Sequence, residues 1–379
     1  MPRKASLPLA IVVTALCLLG SACDRDSGTT SSSGTGPTAA TRVSPTTSNT
    51  VDATGASTPA ANQVAGGATT GATGGSGAPL TKKGGGPVTV GFSQIGAESA
   101  WRTAETQSVK DEAAKRGVNL RFSDAQGKQE NQIAALRSFV TQRVDAIILA
   151  PQKETGWDVV LRDAKRANIP VVLVDRGITG SPDSYATLIA SDFVAEGRMA
   201  GEWLAKATNG QCNIAELQGT TGAAPAIDRA KGFREAIAKH PGMKIIEGLS
   251  QTGDFTRAKG KDVMEAFLKS PQGKDIQAVY AHNDDMALGA IQAIEEAGKK
   301  AGTDIKVVSV DGGKAALDAL AAGKINCSVE CSPRLGPQAF EAVQAVLNGQ
   351  TLPKQQVVKD RLFDSTNVQD VMARKDYWE

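Results

Sequence analysis

The sequence predicts an α/β protein built as two doubly wound parallel-sheet lobes joined by a hinge. Two observations carry this. From residue 87 onward, short β-rich apolar runs alternate with longer segments of helical spacing, the pattern of a parallel sheet covered on both faces. That alternation completes one set of units and then begins again, in a chain of 379 residues that is too long for one typical core.

The first set reads in order. "PVTVGFSQI" (87–95) is a strand, and "TAETQSVKDEAAKRG" (103–117) has helical spacing and stops on a glycine. "VNLRFSDA" (118–125) is a strand and "KQENQIAALRSFVTQR" (128–143) a helix. "VDAIILAP" (144–151) is a strand halted by Pro151. "GWDVVLRDAKRAN" (156–168) is a helix, and "IPVVLVDR" (169–176) a strand. The second set opens with the strand "CNIAELQG" (212–219) and the helix "APAIDRAKGFREAIAKH" (224–240). Strands at 244–251, 276–284, 305–313 and 325–331 then alternate with helices at 257–270, 286–298, 315–323 and 336–349. Ligands of doubly wound sheets bind beyond the carboxyl ends of the strands, so two facing lobes predict a site in the cleft between them.

The segment before residue 87 is of another kind. Arg3 and Lys4 precede the apolar run "LPLAIVVTALCLLG", and small residues follow it, which reads as a signal peptide over 1–22. "LLGSAC" resembles the bacterial lipobox, which implies lipidation at Cys23 and anchoring to the cell membrane. Residues 24–86 are nearly all Ser, Thr, Gly, Ala and Pro, a composition that buries too little apolar surface to order itself and reads as a tether.

Composition excludes several function classes. Lys+Arg 42 against Asp+Glu 40 leaves a net charge of +2, without the strong positive field of a nucleic-acid binder. No Walker motif is present, no G-x-G-x-x-G follows a strand, and no G-x-S-x-G elbow occurs, so neither a nucleotide cofactor nor a serine hydrolase is predicted. Only His240 and His282 exist, neither with an evident partner, which argues against a metal site and against acid–base catalysis. Cys212, Cys327 and Cys331 remain after the leader; an exported protein permits a disulfide, Cys327 and Cys331 are too far apart in an extended chain to bridge, and Cys212 could pair with either.

The candidate site residues all follow strands. They are Glu98, Ser99, Trp101 and Arg102 after the first, Asp175 and Arg176 after "PVVLV", and Arg229 early in the helix after "IAELQG". Phe255, Asn283 and Asp311 follow the next three strands. Singly, each has a plainer reading: an Asn or Asp after a strand is often only a helix cap, and a Trp is often core. Together, forked guanidinium donors, carboxylate acceptors, an amide and two aromatics are what a polyhydroxylated ligand needs, because every sugar hydroxyl both donates and accepts.

The ordered stretches "PVTVGFSQIGAESAWRTAET", "IPVVLVDR", "CNIAELQGTTGAAPAIDRAKGF", "YAHNDDMALGAIQAIEEAG" and "VVSVDG" resemble the type I periplasmic sugar-binding proteins of bacterial ABC importers, over about 87–350. The likeness is nearest to the galactofuranose-binding members and more distant to the ribose-binding ones. It implies sugar contacts from the ten residues above, and a capping or supporting role for Asp284 and Asp285. Ribose binders carry two adjacent aromatics where this chain has Trp101-Arg102, and a glutamine where it has Cys331. The implied function is capture of a monosaccharide, a galactofuranose-like hexose, by hinge closure, and delivery to an importer permease with its ATPase. The implied protein is a monomer and not an enzyme. A sugar sensor or chemoreceptor component, or a pentose binder, would share the fold. The expected organisation is a leader over 1–22, lipidated Cys23 and tether over 23–86, a first lobe of 87–191 with about 332–352, and a second lobe of 192–331 with about 353–379.

Overall fold

The computed structural model describes residues 77–378; the expected signal peptide, the Cys23 lipidation site and most of the tether lie outside the described residues. The chain runs β1 (Thr89–Gln94), α1 (Ala100–Lys115), β2 (Asn119–Asp124), α2 (Gln129–Thr141), β3 (Ala146–Leu149), α3 (Asp158–Arg166), β4 (Val171–Val174) and β5 (Thr187–Ser191). It continues through α4 (Phe193–Ala207), β6 (Gln211–Gln218), α5 (Ala224–Ile237), β7 (Gly242–Thr252), α6 (Arg257–Lys269), β8 (Ala278–Ala281), α7 (Asp284–Glu296) and β9 (Lys306–Asp311). Last come α8 (Lys314–Ala321), β10 (Cys327–Glu330), α9 (Gly336–Leu347), β11 (Gln355–Val358), β12 (Leu362–Asp364) and α10 (Val368–Arg374).

Two six-stranded sheets result, in the orders β11-β5-β4-β3-β1-β2 and β12-β10-β9-β8-β6-β7. Every pairing is parallel except that of β12 with β10. The central strands β3, β4 and β8 are buried at every position. Helices cover both of their faces, so these strands read as continuous apolar runs rather than alternating ones.

The chain passes between the sheets three times, from β5 to α4, from β10 to α9 and from β11 to β12. β11 pairs with β5 in the first sheet, and the chain crosses to the second only after Val358. The expectation that everything from about 353 belongs to the second lobe is therefore corrected: a strand of four residues is too short to announce which sheet it joins. The tether also ends earlier than residue 86. Leu80 is buried and its N–H donates to the Arg116 carbonyl (3.1 Å), while the Lys82 ammonium sits 2.8 Å from Asp145.

β5, α4 and the three elements after α9, namely β11, β12 and α10, carried no reading in the sequence, and α4 shapes the site. Gly197 on α4 and Gly232 on α5 let the two backbones touch. A Cβ at Gly197 would lie 2.1 Å from the Arg229 carbonyl oxygen, and one at Gly232 would lie 1.9 Å from that of Val194. The obstructing atoms are backbone, so neither can swing aside. Gly232→Ala should therefore lower unfolding stability by about 1–3 kcal/mol through overpacking. Urea denaturation checks this, and an unchanged midpoint would show that the helices can part at little cost.

Candidate functional site

The strand ends of both sheets face one another, and the ten residues singled out in the sequence line a single cavity. Pro225 and Cys331 complete its wall. Glu98, Ser99, Trp101 and Arg102 come from the β1–α1 loop and the first turn of α1. Asp175 and Arg176 come from the end of β4. The opposite wall is Arg229 from α5, Phe255 from the β7–α6 loop, Asn283 at the start of α7 and Asp311 at the end of β9.

Three of these residues have left-handed backbone: Asp175 (φ 62°), Phe255 (φ 61°) and Asp311 (φ 127°). Such conformations cost a non-glycine residue of order 1–3 kcal/mol and persist only where the surroundings enforce them. Here they turn side chains at strand ends into the cleft.

Arg102 is the most heavily held group. It is buried, and its Nε donates to Glu98 (3.1 Å), Nη1 to Glu105 (2.5 Å) and Nη2 to Asp175 (2.6 Å). Burial alone would lower its pKa; the carboxylates of Asp175, Glu105 and Glu98 outweigh that and hold it well above the usual guanidinium value. Arg229 is fixed in the second lobe in the same way, with Nε donating to Glu196 (2.6 Å), Nη1 to the His282 carbonyl (2.6 Å) and Nη2 3.7 Å from Asp311. Arg176 is held more loosely, 3.4 Å from Asp175 and 3.8 Å from Glu98. Burial, then the neighbouring Arg102 charge, bring its pKa down to about 10.

Three guanidiniums thus meet five carboxyls: Glu98, Glu105, Asp175, Glu196 and Asp311. Burial favours the neutral form of three of them. Burial lifts Asp311 well above the carboxylate range against the pull of Arg229, and lifts Glu196 likewise. Burial also raises Glu105 to about 7 despite Arg102. Several buried atoms here have no hydrogen-bond partner, namely Glu98 Oε2, Glu105 Oε1, Glu196 Oε1 and Arg176 Nε. Buried polar atoms without hydrogen bonds are costly; of the two on the cavity wall, Glu98 Oε2 is open to a ligand and Arg176 Nε has only its 3.4 Å ion pair with Asp175.

Two candidates also do the plainer job. Asn283 caps α7, accepting from the Met286 N–H (3.0 Å), and its amide donates to the Phe255 carbonyl (3.1 Å), leaving one N–H for the cavity. Ser99 caps α1 by accepting from the Arg102 N–H (3.1 Å). Asp284 lies behind the wall, where it accepts from Ser309 (2.6 Å), Ser328 (2.9 Å) and the Gly313 N–H (2.9 Å). Asp285 reaches across the cleft to the Ala100 N–H (2.8 Å).

The lobes touch at other points too. The Trp101 indole N–H donates to the Cys331 carbonyl (2.6 Å), and the Arg176 guanidinium lies 5.3 Å from the centroid of the Phe255 ring. The Glu154 N–H donates to the Gly222 carbonyl (3.1 Å).

Sequence reasoning missed Glu105, in the second turn of α1, and Glu196, in the first turn of α4, both fully buried. Glu105 stands one helical turn after Arg102, a spacing that could have flagged it; Glu196 lies in the segment left unread. His282, read as having no partner, has one. Its Nδ1 accepts from the Gly219 N–H (3.3 Å), so its Nε2–H donates to Glu216 Oε1 (3.2 Å), in the core behind the cavity. Cys212, Cys327 and Cys331 are all free thiols.

A family model described as a periplasmic binding protein domain matches residues 90–351. The chain belongs to this family of binding proteins, and its fold is that of the type I members. It is 51% identical to the galactofuranose-binding protein YtfQ of Escherichia coli (strain K12) over 292 residues, 76% of this chain and 91% of the relative. Among solved structures it is similar to the binding component of the arabinose ABC transporter of Shewanella sp. ANA-3, bound to α- and β-L-arabinofuranose. That likeness has 54% identity and a TM-score of 0.74, over 76% of this chain and 95% of the other. A protein from Mycobacterium smegmatis in complex with β-D-fucofuranose has 51% identity and a TM-score of 0.73, over 76% and 95%.

Glu105 supplies a test of the buried charge balance. In the folded state it holds its proton up to about pH 7, against an ordinary value of 4.5, so it binds more protons folded than unfolded between those limits. Its contribution to stability therefore falls as pH rises from about 4.5 to about 7 and is flat above. The stability difference between Glu105→Gln and wild type, measured by denaturant titration across this range, should shift in the variant's favour as pH rises. A pH-independent difference would mean that Glu105 is ionised throughout.

Proposed function

We propose that the protein captures a furanose sugar of galactose-like configuration, galactofuranose first, and delivers it to the permease and ATPase of an ABC importer. The observation that carries this reading is the enclosure of one cavity by donors, acceptors and two aromatics drawn from both lobes. Trp101 and Phe255 cover C–H faces, while the arginines and carboxylates address hydroxyls. The sugars named for the three relatives support the ring form. Galactose of the D series, L-arabinose and D-fucose share one arrangement of ring hydroxyls in the furanose form and differ only in the exocyclic arm; ribose does not share it. In this reading Arg102 addresses the exocyclic hydroxyls, and Asp175, Arg176, Arg229, Asn283 and Asp311 read the ring. Glu98 and Ser99 line the exocyclic side.

Capture proceeds by hinge closure: both walls contact the sugar only when the lobes meet, so the ligand stabilises the closed form by its differential affinity. Calorimetry with galactose, L-arabinose and ribose tests the assignment, with the ring form read from the bound anomeric carbon by NMR. Galactose should bind as a furanose and more tightly than ribose. Arg102→Ala should weaken it about ten- to a hundredfold, the loss of a charged hydrogen bond of about 1.5–3 kcal/mol. Tighter binding of ribose, or unchanged galactose binding in the variant, would sink the hexofuranose assignment.

The same proposal includes anchoring through a lipid on Cys23, with the Ser/Thr/Gly-rich stretch as tether. Mass spectrometry of the mature N-terminus should find a diacylated cysteine. A mature protein that starts elsewhere and stays soluble would remove the anchor and leave sugar capture untouched.

A further inference from the structure

Beside the cavity, between the same two lobes, lies a second and larger space, a groove lined from both lobes. Glu98 and Arg176 line both spaces, so these two side chains form the partition between them. Glu98 Oε2 is buried without a hydrogen-bond partner, and Arg176 Nε has only its 3.4 Å ion pair with Asp175. The groove's walls come from both lobes and mix polar groups with apolar surface: Gln126 and Gln152 with Ile95 and Ala97 on one side, Thr220, Asp254 and Lys259 on the other. Such walls offer donors and acceptors to the hydroxyls of a neutral occupant and apolar surface to its C–H faces.

We propose that the groove is a second sugar subsite, and that the protein takes furanosyl disaccharides as well as free monosaccharides. This rests on the reading above, which also orients the ligand. Glu98 accepts from Arg102 Nε at 3.1 Å, so the Glu98 side of the partition stands where the exocyclic arm would lie, with Arg176 on the side of the ring. A second unit reaching the groove is therefore carried on an exocyclic oxygen of the enclosed furanose, not on its anomeric oxygen. The chemistry favours this ligand on a further ground. A galactose substituted at O5 cannot close to the pyranose ring, so it presents itself to the cavity wholly outside the pyranose form, whereas free galactose is mostly pyranose. The second unit also bridges both lobes and thereby adds to the differential affinity for the closed state.

The test uses a galactofuranosyl unit linked through O5 of a reducing galactose, with galactose as the reference ligand, both titrated calorimetrically into the full mature protein. The wild type should bind the disaccharide at least as tightly as galactose. Two groove variants, one on each lobe, identify the subsite. Ala97→Trp and Thr220→Trp place bulk in the groove at residues that do not line the sugar cavity. Each should weaken the disaccharide by about tenfold or more and leave galactose within about threefold, a difference of roughly 0.7 kcal/mol. Galactose binding with no disaccharide binding overturns the subsite alone. So does disaccharide binding that neither tryptophan disturbs. Failure of both sugars to bind the wild type strikes at the furanose reading itself.

Discussion

The structure is organised around the burial of three guanidiniums. An arginine taken out of water loses hydration that only close carboxylates and carbonyls restore, and the compensation must come with nearly ideal geometry. Arg102 meets this with three separate carboxylates, Arg229 with Glu196, the His282 carbonyl and Asp311. Those partners lie on different elements, so the requirement reaches well beyond the cavity. It needs Glu105 one turn along α1 and Asp175 in left-handed backbone at the end of β4. It also needs α4 near enough to α5 for Glu196 to touch Arg229, which the glycines at 197 and 232 permit. Once the guanidiniums are held, their remaining N–H groups point in fixed directions, and a ligand finds donors already oriented.

The same density of charge gathers the crossings between the lobes. Ser191 donates to Asp360 at 3.0 Å, and the Cys331 thiol lies 3.6 Å from the Ser191 hydroxyl. One residue from each of the three crossovers thus meets at one point, and Glu196 lies close enough that it and burial together lift Asp360 to about 8. Linked crossovers leave few backbone torsions in which a rotation of one lobe against the other can occur, which suits a hinge more than a shear. Cys331 also lines the cavity and accepts the Trp101 indole N–H through its carbonyl. Hinge and cavity therefore share an atom group rather than communicating over a distance.

Much of this was legible in the chain, for identifiable reasons. The central strands are buried on both faces and so appear as unbroken apolar runs such as "AIIL" and "VVLV". The cavity residues appear because a parallel sheet sends the residue after each strand toward the ligand edge. What escaped notice lacks a local signature. β11 is half exposed and only four residues long, and its sheet is decided by pairing with β5, more than a hundred and fifty residues earlier. Glu105 and Glu196 look like surface glutamates on amphipathic helices until the arginines opposite them are known. The left-handed backbone of Asp175, Phe255 and Asp311 is enforced by tertiary contacts that no single stretch encodes. The partner of His282 comes from β6, a neighbour in the sheet though distant in sequence.

A sugar-binding cleft must solve a conflict between affinity and release, and the placement of charge here indicates how. Were all the arginine–carboxylate pairs shared between the lobes, the closed state would be held without a ligand. Instead the strongest pairs are internal to one lobe: Arg102 with Glu98, Glu105 and Asp175, and Arg229 with Glu196. The contacts that do span the cleft are single hydrogen bonds and a cation–π pair, each worth about 0.5–1.5 kcal/mol, or up to about 3 for the one accepted by the Asp285 carboxylate. Both walls are thus preorganised separately, and the attraction between them is weak. Under the proposed function the sugar supplies the missing interaction, bonding to rigid arrays on either side, so that closure follows the ligand's presence and reverses when the permease takes it away.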